Sequence, residues 1–238
     1  MKNIAVIFAG GTGQRMNTRT KPKQFLELHG KPILIYTLEA FEKASVIDGI
    51  VLVMLKEWIE YSEDLIEKYR IKKLKKIVPG GQTGQESIFR GIKCAIETYG
   101  NCNVLIHDGV RPIIDEETLE CCVKSIELYG NAITTAPANE TIAIMDDNGE
   151  VRQILPRKNC LIAKAPQCFR SKDIFACHLK AIEEGKDDFI DSASLMQYYG
   201  YKLHTITGPI ENMKITTPGD FYIFRAIVDA QENSQIFG

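Results

Sequence analysis

The sequence predicts a single α/β domain over residues 1–238, a Rossmann-like fold with a mainly parallel twisted sheet and a protruding β-hairpin arm at about residues 139–160. Three observations lead there. Short runs rich in Val and Ile alternate with longer amphipathic segments through the first half. After Ala138 the rhythm changes, and two short apolar stretches flank Asn148-Gly149. No repeat, low-complexity tract or composition break marks a second independent domain.

The strands are read at Ile4–Ala9, Gly49–Met54, Lys76–Val78, Val104–His107 and Ala132–Ala136, and the helices between them at Ile33–Lys43, Trp58–Tyr69, Glu86–Tyr99 and Glu116–Tyr129. Ile35, Leu38 and Phe41 keep to one helical face, as do Ile88, Ile92, Ala95 and Ile96. The opening run has the Lys-then-apolar start of a signal peptide, but it stops at Gly10-Gly11 and turns basic at Arg15, Arg19, Lys21 and Lys23. It is therefore read as a buried first strand. Thr141–Ile154 reads as two short strands joined at an Asn-Gly turn, because that dipeptide tolerates positive φ. The chain then returns through Ala165-Pro166-Gln167-Cys168-Phe169 to helices near Lys172–Glu184 and Ser192–Tyr199, a strand near Leu203–Ile206, and a last helix capped by Thr217 with Pro218 in its first turn.

Composition sets limits on partners. Apolar residues make up 45% and charged residues 25%, an ordinary globular balance that argues against disordered, collagenous and membrane-spanning classes. With 29 Lys+Arg against 31 Asp+Glu the net charge is -2, so no bulk field favours nucleic acid or an anionic membrane, and neither is expected as a partner. A bound anion needs a local site. The seven cysteines are odd in number and show no C-x-x-C spacing, which predicts reduced, packed thiols and a cytoplasmic protein.

Four stretches carry residue types suited to chemistry. Ala9-Gly10-Gly11-Thr12-Gly13-Gln14-Arg15-Met16 follows the first strand, with Lys21-Pro22-Lys23-Gln24-Phe25 close behind. Its glycines let backbone N–H groups approach a polyphosphate, and Arg15 and Lys23 supply cations; a plain strand-end turn beside a solvated basic loop is the alternative. A Walker loop fits poorly because no Lys-Ser or Lys-Thr pair follows, and a dinucleotide fingerprint fits poorly because Met16 stands where a small residue is needed. Val104–Pro112 ends a buried strand in Asp108, which either holds Mg²⁺ or pairs with Arg111; His107 reads as a packed strand-end histidine. Gly80–Ser87 is a strand-to-helix turn able to meet a base edge, or a flexible capped loop. Lys214, in Glu211-Asn212-Met213-Lys214-Ile215-Thr216-Thr217-Pro218, is either a site cation or solvated.

Taken in order, A-G-G-T-G-x-R-M, P-K-Q-F, G-G-x(5)-S, H-D-G-V-R-P, A-P-Q-x-F and E-N-M-K-I-T-T-P cover nearly the whole chain and resemble the sugar-phosphate cytidylyltransferases. That group includes the methylerythritol-phosphate enzymes of isoprenoid synthesis and the ribitol-5-phosphate enzymes of wall and capsule polymers. The resemblance implies transfer of CMP from CTP to a small polyol phosphate. It puts Ala9, Gly10, Gly11, Thr12, Gly13, Arg15 and Lys23 on the triphosphate, Gly81 and Ser87 on the cytosine, Asp108 near Mg²⁺ and the nucleotide, and Lys214 on the reacting phosphates. Arg15, Lys23 and Lys214 are the implied catalytic cations. Thr141 and Arg157 match arm positions that hold the polyol phosphate in the neighbouring subunit of an arm-exchanged homodimer, and Arg111 and Asp191 are further substrate contacts.

The chain departs from the family at Gly84, where an arginine is usual, and at Ile190-Asp191-Ser192-Ala193-Ser194, where the methylerythritol enzymes have Thr-Asp-Glu-Ala-Ser. Ala-Gly-Gly-Thr-Gly and His-Asp-Gly-Val-Arg-Pro look closer to the ribitol-phosphate branch, so ribitol 5-phosphate is the expected substrate and methylerythritol 4-phosphate the alternative. A nucleotide-binding protein without turnover, and an enzyme using another nucleoside triphosphate, are the rival readings.

Overall fold

The structure is a computed structural model that describes residues 1–11 and 21–237. In chain order its elements are β1 (Asn3–Ala9), β2 (Glu27–Leu28), β3 (Lys31–Pro32), α1 (Ile33–Lys43), β4 (Gly49–Met54), α2 (Ile59–Lys68), β5 (Leu74–Pro79), α3 (Gly84–Tyr99), β6 (Asn103–Asp108), α4 (Glu116–Tyr129), β7 (Asn131–Pro137), β8 (Ile142–Met145), β9 (Val151–Leu155), β10 (Leu161–Arg170), α5 (Ser171–Glu183), α6 (Ser192–Tyr198), β11 (Thr205–Thr207) and α7 (Pro218–Phe237). Seven strands form one sheet in the order β11-β7-β10-β6-β1-β4-β5.

Period-2 alternation along the strands sorts the core into two layers. Ala5, Ile7, Ile50 and Leu52 face one side, where they pack with Leu38, Phe41, Leu65, Leu119 and Ile126 of α1, α2 and α4. Ile4, Val6, Val51 and Val53 face the other, against Ile92, Ile174 and Leu195 of α3, α5 and α6. Helices thus cover both faces of the sheet, and the central strands are buried along their whole length. All seven cysteines are free thiols, as expected. Among the described residues no helix is long and apolar enough to cross a membrane.

One central strand is absent from the sequence reading. β10 lies between β6 and β7 and runs antiparallel to both, the one reversed strand in the sheet. Pro166 disguises it, because a proline lacks the ladder N–H and demotes a run to an edge. Here it sits inside the register break between Ala163 and Gln167, where no ladder bond is lost, and its carbonyl accepts from Thr134 Oγ1 at 2.7 Å.

The hairpin forms a separate two-stranded sheet, β8 with β9. Its turn is longer than a two-residue Asn-Gly loop. Asp146 Oδ1 accepts from the Asn148 and Glu150 amides, and Gly149 alone takes positive φ, at 83°. Met145, Val151 and Ile154 remain exposed on this arm.

Candidate active site

The carboxyl ends of the parallel strands converge on two adjoining cavities, the placement expected where a parallel sheet meets its loops. The first, about 400 Å³, is lined by Ala9, Gly10, Gly11, Lys23, Gly81 and Ser87 among others. The second, about 480 Å³, is lined by Arg111, Lys164, Gln167, Asp191 and the Asp187–Ile190 loop among others. Phe8, Thr83, Gly84, Asp108 and Lys214 border both. Phe8 and Asp108 face each other across the β1–β6 ladder, so sheet register alone brings Asp108 to the junction.

On the first cavity's floor, Gln24 donates from Nε2 to the Ala9 carbonyl at 2.7 Å, tying P-K-Q-F to the end of β1 and bringing Lys23 to the wall that Gly10 and Gly11 also line. Across from it, the turn after β5 is held from within. Thr83 Oγ1 caps α3 by accepting from the Glu86 amide, and Ser87 Oγ accepts from Gly81 N at 3.0 Å while donating to Thr83 O. Glu86 accepts from the Gln82 amide at 2.7 Å and from Arg90 at 2.6 Å, and Arg90 also donates to Gly80 O. The Gln82 amide, then Arg90, hold the Glu86 carboxyl below its usual range. A Cβ at Gly81 would lie 2.4 Å from Glu86 Cγ and Cδ, so any larger residue here would push Glu86 out of its present bonds. A Cβ at Gly84 would meet nothing within 4 Å, and Arg90 ties the start of this loop through its bond to Gly80 O. Gly91 lets α3 lie against the sheet, its Cα facing Val6 and Val53 with no room for a methyl.

At the junction, three distant motifs are bolted together. Asp108 Oδ2 accepts from Arg111 Nε at 2.8 Å, and Oδ1 pairs with Lys214 Nζ at 2.5 Å. Burial alone would raise the Asp108 pKa, but Lys214 and then Arg111 overcome it and hold the carboxyl below its ordinary value. Asn212, fully buried, is the hub. Its Nδ2 donates to Ala165 O at 2.6 Å, and its carbonyl accepts from Arg111 Nη1 at 3.0 Å and from Lys164 Nζ at 3.2 Å. The Ile215 amide donates to Val110 O at 2.9 Å, which closes the clip. Thr217 caps α7 as expected, with Asp220 accepting from the Thr216 and Thr217 amides. His107 is packed on Phe41 and bonded through Nε2 to Arg111 O, a structural histidine whose pKa burial lowers to about 4.

The family model for 2-C-methyl-D-erythritol 4-phosphate cytidylyltransferase, IspD, matches residues 3–230. The chain belongs to this family. The ribitol-5-phosphate cytidylyltransferases of Vibrio parahaemolyticus and Streptococcus agalactiae serotype III are 50% and 47% identical to it over 99% of its length, and the matches cover 100% and 99% of theirs. The 2-C-methyl-D-erythritol 4-phosphate cytidylyltransferase of Clostridium novyi is 37% identical over 96% of this chain and 97% of its own. Among solved structures, 4-diphosphocytidyl-2C-methyl-D-erythritol synthase from Anaerococcus prevotii superposes with a TM-score of 0.84 at 29% identity, covering 96% of each chain.

For a cytidylyltransferase of this family the residues read from sequence divide into three groups. Ala9, Gly10, Gly11, Lys23, Gly81, Ser87, Asp108, Arg111, Asp191 and Lys214 line the two cavities. Thr12, Gly13 and Arg15 lie outside the described residues. Thr141 and Arg157 are exposed on the arm and border neither cavity; Arg157 Nη1 donates to Asn139 O at 3.1 Å. Asp191 is itself engaged, capping α6 through Ser194 and accepting from Gln167 Nε2 at 2.7 Å. Sequence reasoning missed Lys164, Gln167 and Asn212. The A-P-Q and E-N-M-K motifs carry two of them, but nothing local marks a lysine in a hidden strand.

Proposed function

We propose that the chain transfers CMP from CTP to D-ribitol 5-phosphate, giving CDP-ribitol and pyrophosphate. The observation that carries the reading is the junction. Two cavities, one suited to a nucleotide and one to a small polar molecule, share the Asp108–Lys214 pair, so two phosphorylated substrates would meet where a cation stands. The names of relatives 46–50% identical over essentially the full chain favour ribitol 5-phosphate over methylerythritol 4-phosphate, the substrate named for relatives 37% identical.

The chemistry asks for positive charge more than for a base. An oxygen of the polyol phosphate monoester attacks the α-phosphorus of CTP and pyrophosphate leaves in line. That oxygen is already ionised near pH 7, so the obstacle is bringing two anions together. Lys23 and the backbone of Gly10-Gly11 serve the triphosphate side, Gly81 and Ser87 the base, and Lys214 the phosphorus under attack. Asp108 fixes Lys214 and Arg111 so that both stand preorganised before substrate arrives. Asp108 is also the one carboxylate among the described residues lining the nucleotide cavity, and it would be the residue to hold Mg²⁺, through the lone pairs that Lys214 and Arg111 leave on its oxygens. When bound, Mg²⁺ would supply further neutralisation of phosphate charge.

We read the arm as the partner's business. Thr141 and Arg157 are exposed on it, away from their own cavities, and its bare Met145, Val151 and Ile154 need a cover. A homodimer with exchanged arms would supply the cover and deliver both residues to the partner's polyol pocket. Seven free thiols and a CTP requirement support work in the cytoplasm.

The test is pyrophosphate release from each of the four nucleoside triphosphates with a panel of polyol phosphates. CTP with ribitol 5-phosphate is expected to give the highest kcat/KM. Preference for methylerythritol 4-phosphate would move the chain to the other branch, and CTP binding without pyrophosphate release would leave a nucleotide-binding protein.

A further inference from the structure

The second cavity holds a cation that the junction does not use. Lys164 lies on β10 and its Nζ is pinned by the carbonyls of Ile210 at 2.8 Å and Asn212 at 3.2 Å. An ammonium has three donors, so one N–H remains after those two bonds. Among the described residues no carboxylate oxygen lies within ion-pair reach of it, whereas Arg111 and Lys214 are both bound to Asp108. The Asn212 carbonyl accepts from Lys164 and Arg111 together, which holds the two cations side by side although they repel. Glu211 acts on Lys164 from farther off, and Asp187, Asp188 and Asp191 line the same cavity, so what marks this end is the clustering of Lys164, Arg111 and Lys214, with one ammonium N–H left to donate, a donor set suited to a phosphate monoester.

We propose that Lys164, beside Arg111, binds the phosphate of the polyol substrate and is a specificity-determining residue for that substrate over CTP. This rests on the transferase reading above. Lys164 lines only the second cavity, while Lys214 lines both, so the two lysines divide the work. Lys164 would receive the incoming monoester and hold it near the junction, and Lys214 would stabilise the charge that builds during attack. Burial first, and Arg111 second, lower the Lys164 pKa; a dianion in front of it favours the charged form again, so binding strengthens the ammonium it needs.

A plain structural role would be to clip the 209–214 loop to β10 through the two carbonyls. Lys164→Gln separates the two, because its amide can still donate to a carbonyl but carries no charge. The experiment measures pyrophosphate release with the full chain, varying each substrate at saturating levels of the other, for the wild type, Lys164→Gln, Lys164→Met and Lys164→Arg. The KM for the polyol phosphate is expected to rise tenfold or more in Lys164→Gln and Lys164→Met, with the KM for CTP changed less than twofold and thermal protection by CTP retained. Lys164→Arg should recover most of the loss. A wild-type KM for the polyol phosphate in Lys164→Gln would overturn the role of Lys164, as would equal rises in both KM values. If the wild-type chain itself released no pyrophosphate with any polyol phosphate, the transferase reading would fall instead.

Discussion

Replacing Lys214 by methionine removes the junction's charge while keeping a side chain of similar length. In the folded chain its ammonium stands 2.5 Å from Asp108 Oδ1, borders both cavities and is 39% exposed. Losing one preorganised donor at a developing negative charge typically removes about 3 to 4 kcal/mol of transition-state stabilisation, or two to three orders of magnitude in kcat. A second effect adds to the first. Asp108 stays buried with only Arg111 as counter-charge, so its carboxyl pKa rises from the lowered value, and while ionised it repels both substrates. The stability change should be smaller, since a pair with one partner this exposed is screened by water. Steady-state pyrophosphate release gives kcat, and thermal unfolding with and without CTP checks that the fold and nucleotide site persist. A Lys214→Met chain that unfolds normally and keeps kcat within threefold of wild type would refute the argument that fixed positive charge at this point drives the transfer.

Gly91→Ala should destabilise the chain by about 1 to 3 kcal/mol in denaturant unfolding, because the new methyl would stand 2.5 Å from Val6 Cγ1 and 2.7 Å from Val53 Cγ2 in a closed core. Gly81→Ala should displace Glu86 and break its bonds to Gln82 and Arg90; loss of a charged hydrogen bond, about 1.5 to 3 kcal/mol, predicts a KM for CTP raised about tenfold or more with a smaller change for the polyol phosphate. Acid should weaken the fold from about pH 6.5 downward, starting above the range in which carboxylates titrate. His107 and His178 lie at about 4 when folded, both chiefly through burial, against 6.5 in the unfolded chain. Between those values the unfolded chain binds more protons, so stability is whole above pH 6.5 and falls as the pH drops through the window, by at most about 3 kcal/mol for each histidine. Denaturant midpoints from pH 7.5 to 4.5 should show this, and His178→Leu should flatten roughly half of the slope.

The alternation of apolar strands and amphipathic helices was legible because a parallel strand buried on both faces must be apolar along its length, as Gly49–Met54 and Val104–Ile106 are. The glycine turns and the lone acid at Asp108 could be read for the same reason: a strand's end is a local feature, and the residues that meet a ligand there follow it directly. Thr217 was legible as a cap because capping joins neighbours three residues apart.

What only the folded chain decided is long-range. Nothing in Ala165-Pro166-Gln167 says that it enters the middle of the sheet reversed, because a proline's cost depends on whether the ladder needs its N–H, and the register break removes that need. Lys164, Arg111 and Lys214 are ordinary lysines and an arginine in sequence; they become one cationic wall because a single carbonyl, that of Asn212, accepts from two of them and the turn behind it carries the third. Periodicity records which face of an element avoids water, and that is a property of neighbours along the chain. Convergence of charges from residues some hundred positions apart is a property of strand order, which the periodicity leaves open.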